Sequence, residues 1–217
     1  MMRLTRSAQG ARNSASFFQR AMIEALRVPQ LRSLLLFVYI DDVIIASTKE
    51  THAEKLPRVF EVFRKNNLKL RPDKCEFGKK EVIYLGFRLS DKGFRVDESR
   101  VKVIQNIQAP KNVKGVQQML GVFIYYKELI KSYSCITEPI RKLLRKHEPF
   151  LWQKEQQDAL DELKSRLSQC TLLMYPRLEE SYVIHTDASL NKPGGIGFTL
   201  EQHDPVSGQL RPITFGG

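Results

Sequence analysis

The chain has 217 residues, of which 42% are hydrophobic, and its 35 Lys and Arg residues against 24 Asp and Glu residues give a formal net charge of +11. This much apolar sequence can form the core of one domain or of two small ones. No segment has the roughly 18 consecutive apolar residues that a membrane-spanning helix needs. The basic excess favours an anionic partner, most commonly nucleic acid, over a basic surface that serves solubility alone.

The three cysteines, Cys75, Cys135 and Cys170, are widely spaced and lack the spacing of metal ligands. An odd number of this kind argues against a disulfide framework and indicates a reducing compartment. Residues 1–23 contain four arginines, several serines and no acid, which is a composition typical of mitochondrial transit peptides. Because the same residues also fit a motif described below, we expect an intracellular protein of the cytoplasm or nucleus that is not secreted, and import into mitochondria is the less favoured alternative.

The chain begins with a helical pattern and continues with a strand pattern. Apolar residues recur at helical spacing over residues 14–26. Two runs rich in Val and Ile, residues 34–40 and 43–47, are joined at Asp41-Asp42. Short runs of this composition around a polar pair predict a buried β-hairpin.

A further helix and a second hairpin are predicted next. The helix begins either at Thr48 or at a capping box on Thr51. Pro57 removes one backbone donor from it and is expected to kink it. Residues 82–89 and 93–96 predict the two strands of a second hairpin, because Asp, Lys and Gly between them are turn residues.

After Val96 the pattern is helical and then returns to strand. Helical periodicity covers residues 98–107, 113–131, 136–146 and 153–167, and strand patterns cover residues 182–186, 196–200 and 212–215. The predicted class is therefore α+β. Three strands with one apolar face need cover on that face, so we expect Val183, Ile196, Phe198 and Ile213 to be partly exposed.

The tetrapeptide Tyr39-Ile40-Asp41-Asp42 carries the strongest chemical signal, because two carboxylates at the end of an apolar hairpin would be costly if buried and unpaired. Asp is a common turn residue, so the pair can be a turn and nothing more. It can equally be a divalent-metal site, since Mg²⁺ prefers carboxylate oxygens and keeps positions open for phosphates. From these four residues alone both interpretations remain open.

Six sequence blocks extend the signal over nearly the whole chain. They are residues 9–20, 37–47, 68–87, 120–144, 150–164 and 185–197. In order and spacing they resemble the nucleotide-pocket motif, catalytic motif, primer grip, thumb, connector and first RNase H strands of reverse transcriptases from Gypsy-type LTR retrotransposons. The resemblance implies the C-terminal part of a palm in residues 1–90, a helical thumb in 91–149, a helical connector in 150–180 and the N-terminal strands of a truncated RNase H-like fold in 181–217.

The resemblance also implies RNA-directed DNA polymerisation and cleavage of RNA in an RNA–DNA hybrid, with Mg²⁺ or Mn²⁺ as cofactor. The implied partners are an RNA template, a DNA primer, their hybrid and deoxynucleotides, and no membrane. The implied catalytic residues and metal ligands are Asp41, Asp42 and Asp187. The implied nucleotide-binding residues are Gln9, Gly10 and Tyr39, and the implied primer grip is Leu85 and Gly86.

The chain also departs from the family pattern. Ala15 stands where the family usually has proline, and Gln9 stands where it usually has phenylalanine. No strand before Gln9 supplies the first catalytic aspartate of the family, and the other RNase H carboxylates would follow Asp187. We therefore expect the isolated chain to be an inactive fragment. The alternatives are a catalytically dead basic remnant that still binds nucleic acid, and an incomplete gene model with its flanks encoded nearby.

Overall fold

The computed structural model describes residues 10–189 and 195–217, and the chain divides into two compact units, Met1–Lys80 and Glu81–Gly217. The first unit contains helices α1 (Ser14–Leu26) and α2 (Lys49–Lys65) and strands β1 (Leu35–Tyr39) and β2 (Asp42–Ala46). The second contains strands β3 (Glu81–Tyr84), β4 (Phe87–Ser90) and β5 (Gly93–Val96), helices α3 (Glu98–Gln105), α4 (Val113–Ile124), α5 (Tyr133–Lys142) and α6 (Lys154–Ser168), and strands β6 (Val183–Ser189), β7 (Gly195–His203) and β8 (Leu210–Gly216). The α+β class predicted from the sequence is confirmed.

The core of the first unit lies where α1 and α2 pack on one face of the β1–β2 hairpin. Its buried side chains are Met22, Leu26, Leu31, Leu34, Val59, Val62 and Phe63. The N-cap of α2 is Thr48, whose hydroxyl accepts a hydrogen bond from the Thr51 backbone N–H at 3.4 Å, so the earlier of the two predicted starts is confirmed. The helix continues through Pro57 as one element.

The hairpin differs from its prediction in two ways. The strands pair so that Tyr39 faces Asp42, which makes Ile40-Asp41 the turn and shifts it by one residue from the predicted Asp41-Asp42. The hairpin is also not buried on both faces, since Leu35, Phe37 and Tyr39 are 62%, 58% and 51% exposed. Alternation along β1 places these three side chains on the face away from the helices.

The second unit begins with a three-stranded antiparallel sheet in the order β3-β4-β5. The single strand predicted over residues 82–89 is wrong, because Leu85 and Gly86 form a turn that separates β3 from β4. Both residues have positive φ, 51° and 82°, as the central residues of a type I′ hairpin turn do. Strands β4 and β5 pair antiparallel and are joined by a turn at Asp91 and Lys92, with Ser90 opposite Gly93.

Helices α3 to α6 enclose the core of the second unit. Its fully buried side chains include Val116, Phe123, Ile140, Leu160 and Leu163. The helix predicted over 113–131 ends at Ile124 and is followed by a 3-10 turn at Lys127–Leu129. The helix predicted over 136–146 begins earlier, at Tyr133, and ends at Lys142.

Strands β6, β7 and β8 form a second antiparallel sheet in chain order. The predicted exposure is confirmed for Ile196 and Phe198, which are 73% and 41% exposed, and is wrong for Ile213, which is 7% exposed. Strand β8 packs beside the Lys127–Leu129 turn, and the Thr214 hydroxyl lies 3.5 Å from the Glu128 carbonyl oxygen. Gln202 is fully buried and bonds the backbone of Arg177 through both ends of its amide, at 2.9 and 2.8 Å.

All three cysteines are free, and none of the helices within residues 10–189 and 195–217 has the length and apolar character needed to cross a membrane. Burial raises the pKa of the Cys170 thiol to about 11, so this thiol stays protonated and unreactive at neutral pH.

Candidate active site

The two carboxylates of the tetrapeptide lie at the exposed end of the β1–β2 hairpin. Asp41 is the second residue of the two-residue turn, and Asp42 is the first residue of β2, where it pairs with Tyr39. Both aspartates are exposed, so neither is desolvated by the fold. The arrangement presents two consecutive carboxylates to solvent at the end of the paired strands.

A residue on α1 holds this turn in place. The side-chain amide of Gln19 donates from Nε2 to the Val38 carbonyl at 3.0 Å, and its Oε1 accepts a hydrogen bond from the Ile40 backbone N–H. The sequence placed Gln19 in a motif but gave it no role. The signal that would have suggested one is Ile40 itself, a β-branched residue in a tight turn.

The three residues predicted to contact the nucleotide are only partly located. Tyr39 is about half exposed on the open face of β1, beside Asp42. Gly10 is exposed, and its φ of +84° is a backbone conformation that residues other than glycine rarely adopt. Gln9 lies outside the described residues. A shared nucleotide pocket for these residues therefore stays a prediction.

The predicted primer grip, Leu85 and Gly86, is the turn between β3 and β4. Two aromatic residues that follow α4 hold it. The Tyr125 hydroxyl donates to the Leu85 carbonyl at 2.8 Å, and the Tyr126 hydroxyl lies 3.5 Å from the position that a Cβ on Gly86 would take. Tyr126 is buried in the core, and Tyr125 is about half exposed. The two rings meet edge to face at 4.9 Å.

Replacing Tyr125 by phenylalanine is expected to lower the free energy of unfolding of the second unit by about 1 kcal/mol, the usual net value of one hydrogen bond. Urea unfolding followed by fluorescence of Trp152, the single tryptophan, measures this, because Trp152 packs against the core of the same unit. Tyr182→Phe is the control, since it also removes a tyrosine hydroxyl, at a different place in the second unit. Equal effects of the two changes would contradict a specific bond at the turn.

The predicted RNase H carboxylate, Asp187, lies exposed on β6 and pairs with Gly197 of β7. It lines a cavity of about 80 Å³ together with Ser132, Ser134 and Cys135 at the start of α5. His185, two residues earlier, is engaged elsewhere, because its Nε2 lies 3.1 Å from Glu201 Oε2.

No cluster of three or more His, Cys, Asp or Glu side chains that could hold a metal ion exists in the described part of the chain. Asp41 and Asp42 belong to the first unit and Asp187 to the second. Each location therefore offers the carboxylate chemistry that Mg²⁺ requires, but with fewer protein oxygens than a site of three carboxylates has.

Two family models match the chain. Residues 3–89 match the model described as reverse transcriptase (RNA-dependent DNA polymerase), and residues 152–217 match the model described as RNase H-like domain found in reverse transcriptase. The first match contains the Asp41-Asp42 hairpin and the Leu85-Gly86 turn. The second contains Asp187.

Curated relatives match over nearly the full chain. The retrovirus-related Pol polyprotein from transposon 412 of Drosophila melanogaster is 36% identical over 99% of this chain and 17% of its own length. The corresponding polyprotein from transposon gypsy of the same organism is 34% identical over 94% of this chain and 20% of its own length. The chain thus spans about a fifth of the length of the curated relatives it matches.

Solved structures agree with this similarity. The foamy viral protease-reverse transcriptase in complex with dsDNA superposes with a TM-score of 0.77 at 25% identity, covering 98% of this chain and 43% of that one. The same enzyme in complex with an RNA/DNA hybrid gives a TM-score of 0.74 and covers 98% of this chain and 28% of that one. The chain belongs to the reverse transcriptase family of retrotransposon Pol polyproteins, with a reverse transcriptase region followed by an RNase H-like region.

Proposed function

We propose that this chain provides the carboxylate hairpin, the primer-holding turn and the thumb of an RNA-directed DNA polymerase, together with the first strands of its RNase H. The observation that carries the proposal is the exposed Asp41-Asp42 pair at the end of an ordered hairpin. In this proposal residues 1–90 belong to the palm, 91–149 to the thumb, 150–180 to the connector and 181–217 to the RNase H-like domain.

Each candidate residue then has a role that follows from its position. Asp41 and Asp42 would hold a divalent cation, Mg²⁺ or Mn²⁺, which when bound stabilises charge on the reacting phosphate oxygens. Tyr39, next to Asp42 on the open face of β1, would contact the primer end. Leu85 and Gly86 would support the primer backbone, because a tight turn with a glycine lets a nucleic-acid strand approach closely.

The binding remnant is the second candidate function, and two observations favour it. The chain has a net charge of +11, and solved relatives of the same fold are complexes with dsDNA and with an RNA/DNA hybrid. The segment before Asp41 contains one acidic residue, Glu24 in α1. We propose that the isolated 217-residue chain binds a hybrid duplex without extending a primer, because its hairpin offers two carboxylates where the polymerase reaction uses three.

Fluorescence anisotropy with a labelled RNA–DNA hybrid tests the binding. A chain that neutralises about three phosphates should bind roughly 40-fold more weakly at 200 mM than at 50 mM monovalent salt, because released counterions drive the association. A DNA duplex of the same length is the comparison for hybrid preference. Affinity that does not change with salt, or no binding at 50 mM, would contradict the nucleic-acid role.

A primer-extension assay with Mg²⁺ or Mn²⁺ on the same preparation separates the two candidate functions. We expect no template-dependent synthesis by the isolated chain. Synthesis that is abolished by Asp41→Asn would show that the chain completes its own catalytic site, and the binding-only proposal would be wrong.

A further inference from the structure

We propose that Gln19 is a positioning residue for the carboxylate turn, and that its side-chain amide fixes the backbone from which Asp41 projects. Gln19 lies on α1, and its amide reaches the last residue but one of β1 and the first residue of the turn. The two contacts are the bond from Nε2 to the Val38 carbonyl at 3.0 Å and the bond from the Ile40 N–H to Oε1. The metal-binding part of this inference rests on the proposed function, and the hydrogen-bonding part does not.

The geometry of an amide explains why glutamine suits this place. A side-chain amide carries one carbonyl oxygen and N–H donors, the same groups that a peptide unit offers. Gln19 therefore bonds the chain at residues 38 and 40 as a neighbouring strand would. No hydrophobic side chain of similar size can replace both bonds.

The turn needs such support because Ile40 has a φ of 52°. The first central residue of a two-residue hairpin turn at positive φ is normally glycine, and a β-branched residue there is an outlier. A strained residue persists only where its surroundings hold it. The strand pairing holds Tyr39 and Asp42, which leaves Ile40 and Asp41 dependent on Gln19.

Loss of Gln19 is therefore expected to affect the positions of the two carboxylates differently. Asp41 follows Ile40 directly, so rotation of the Ile40 backbone redirects the Asp41 side chain. Asp42 is anchored by its pairing with Tyr39 and should move less. Loss of Gln19 is therefore expected to separate the two carboxylates rather than to displace them together.

Gln19→Leu tests the proposal, because leucine fills similar space without either hydrogen bond. Gln30→Leu is the matched control, the same change at an exposed glutamine of the same unit. The first readout is amide hydrogen exchange of Ile40 in the ¹⁵N-labelled chain, with the Val59 amide of α2 as the reference for the unit as a whole. We expect Ile40 to exchange about tenfold faster in Gln19→Leu only, as loss of one to two hydrogen bonds implies.

The second readout is Mn²⁺ titration, followed by paramagnetic broadening of the Asp41 and Asp42 amide signals. We expect Gln19→Leu to weaken Mn²⁺ binding about tenfold and Gln30→Leu to leave it unchanged. Adding Ile40→Gly to Gln19→Leu should restore part of the affinity, because glycine adopts the positive φ without strain. A role of Gln19 in packing alone predicts no such rescue.

The outcomes are separable. Equal Ile40 exchange in Gln19→Leu and Gln30→Leu overturns the positioning role. Absence of broadening in the unsubstituted chain overturns the proposed metal site, while the exchange data still decide on Gln19. If Gln19→Leu fails to fold, Gln19→Glu decides instead, since it keeps an acceptor for the Ile40 N–H and removes the donor to Val38. In Gln19→Glu the Ile40 amide should stay protected from exchange, while loss of the bond to Val38 should make the turn less rigid and weaken Mn²⁺ binding. Unchanged Mn²⁺ binding in that variant would count against the proposal.

Discussion

Replacing Gly93 by alanine is expected to lower the free energy of unfolding of the second unit by about 3–5 kcal/mol, the range for substitutions that open a packed core. A Cβ at this position would lie 2.0 Å from the Leu173 carbonyl oxygen, which is backbone and cannot move aside alone. The φ of Gly93 is also +134°, where a side chain is strained. The segment around Leu173 would have to leave β5.

The size of the effect follows from what that segment contributes. Phe94 and Leu173 exchange two backbone hydrogen bonds of 2.9 Å, and the Leu173 side chain is 1% exposed in the main core. Separation from β5 loses both bonds and opens the core beside Phe94. Leu173 is thus the residue through which the segment after α6 is joined to the sheet.

Urea unfolding followed by Trp152 fluorescence measures the change, and Gly121→Ala provides the control. Gly121 lies inside α4 with nothing within 4 Å of its Cβ position. Alanine there should raise the free energy of unfolding by about 0.5–1 kcal/mol, through its higher helix propensity. A Gly93→Ala variant as stable as the parent chain would mean that the contact with Leu173 is not formed as described.

The second large effect is expected at Asp97, a carboxylate that is 3% exposed. It caps α3 by accepting hydrogen bonds from the Ser99 N–H at 3.1 Å and from the Ser99 hydroxyl, and it lies 3.2 Å from Arg88 Nη2. Asp97→Ala removes the cap and leaves the half-buried guanidinium with one partner fewer. We expect a loss of about 3 kcal/mol, near the lower limit for breaking a buried ion pair.

Asp97→Asn separates the cap from the charge. Asparagine keeps an acceptor for the Ser99 N–H, so we expect roughly half the loss of the alanine variant. Asp91→Asn is the control, because Asp91 is an exposed carboxylate in the turn that precedes β5. If the alanine and asparagine variants were equally destabilised, the cap would contribute nothing beyond the ion pair.

The contribution of the Asp97 charge should also depend on pH. The hydrogen bond from the Ser99 hydroxyl, and after it the other Ser99 and Arg88 interactions, hold the pKa of Asp97 below its ordinary value of 3.8. A lowered pKa in the folded state means that the stabilisation is complete above that ordinary value and is lost as the pH falls through the folded one. The stability gap between the parent chain and Asp97→Asn should therefore be constant near neutral pH and shrink below pH 3.8. If the stability difference between the two proteins did not change on acidification, it would not arise from the ionisation of Asp97.

Elements whose determinants are local could be predicted from the sequence. Helix α1 has the predicted bounds, and α2 begins after the predicted cap, because apolar periodicity and a Thr side chain act over a few residues. The turn of the β1–β2 hairpin was predicted one residue too late, because the group that determines it is not local. Ile40 has the propensity of a strand residue, and the group that holds it at positive φ is Gln19, 21 residues earlier in the chain.

The turn at Leu85-Gly86 shows the same limit. Residues 82–89 are apolar enough to predict one strand, and Gly86 is the single local sign of a break. The hydroxyl that bonds Leu85 belongs to Tyr125, 40 residues later. Burial of Ile213 was missed because β8 packs beside residues distant in sequence, such as the Lys127–Leu129 turn, and no local pattern connects these to β8. The candidate carboxylates Asp41, Asp42 and Asp187 were found from motif residues, whereas Gln19, which bonds the turn that carries Asp41, is distant from it in sequence.

The bond between Tyr125 and Leu85 has a mechanical consequence. Tyr125 is the C-cap of α4, and Arg100 of α3 lies 3.5 Å from the Cβ position of Gly86. Side chains of α3 and of the C-terminal end of α4 therefore contact the turn, and we expect the turn to move together with these helices. Because Tyr125 bonds the Leu85 carbonyl, a tilt of α4 is expected to displace that carbonyl in the same direction. The position of the Leu85-Gly86 backbone should therefore depend on the position of α4 more than on the flexibility of the turn itself.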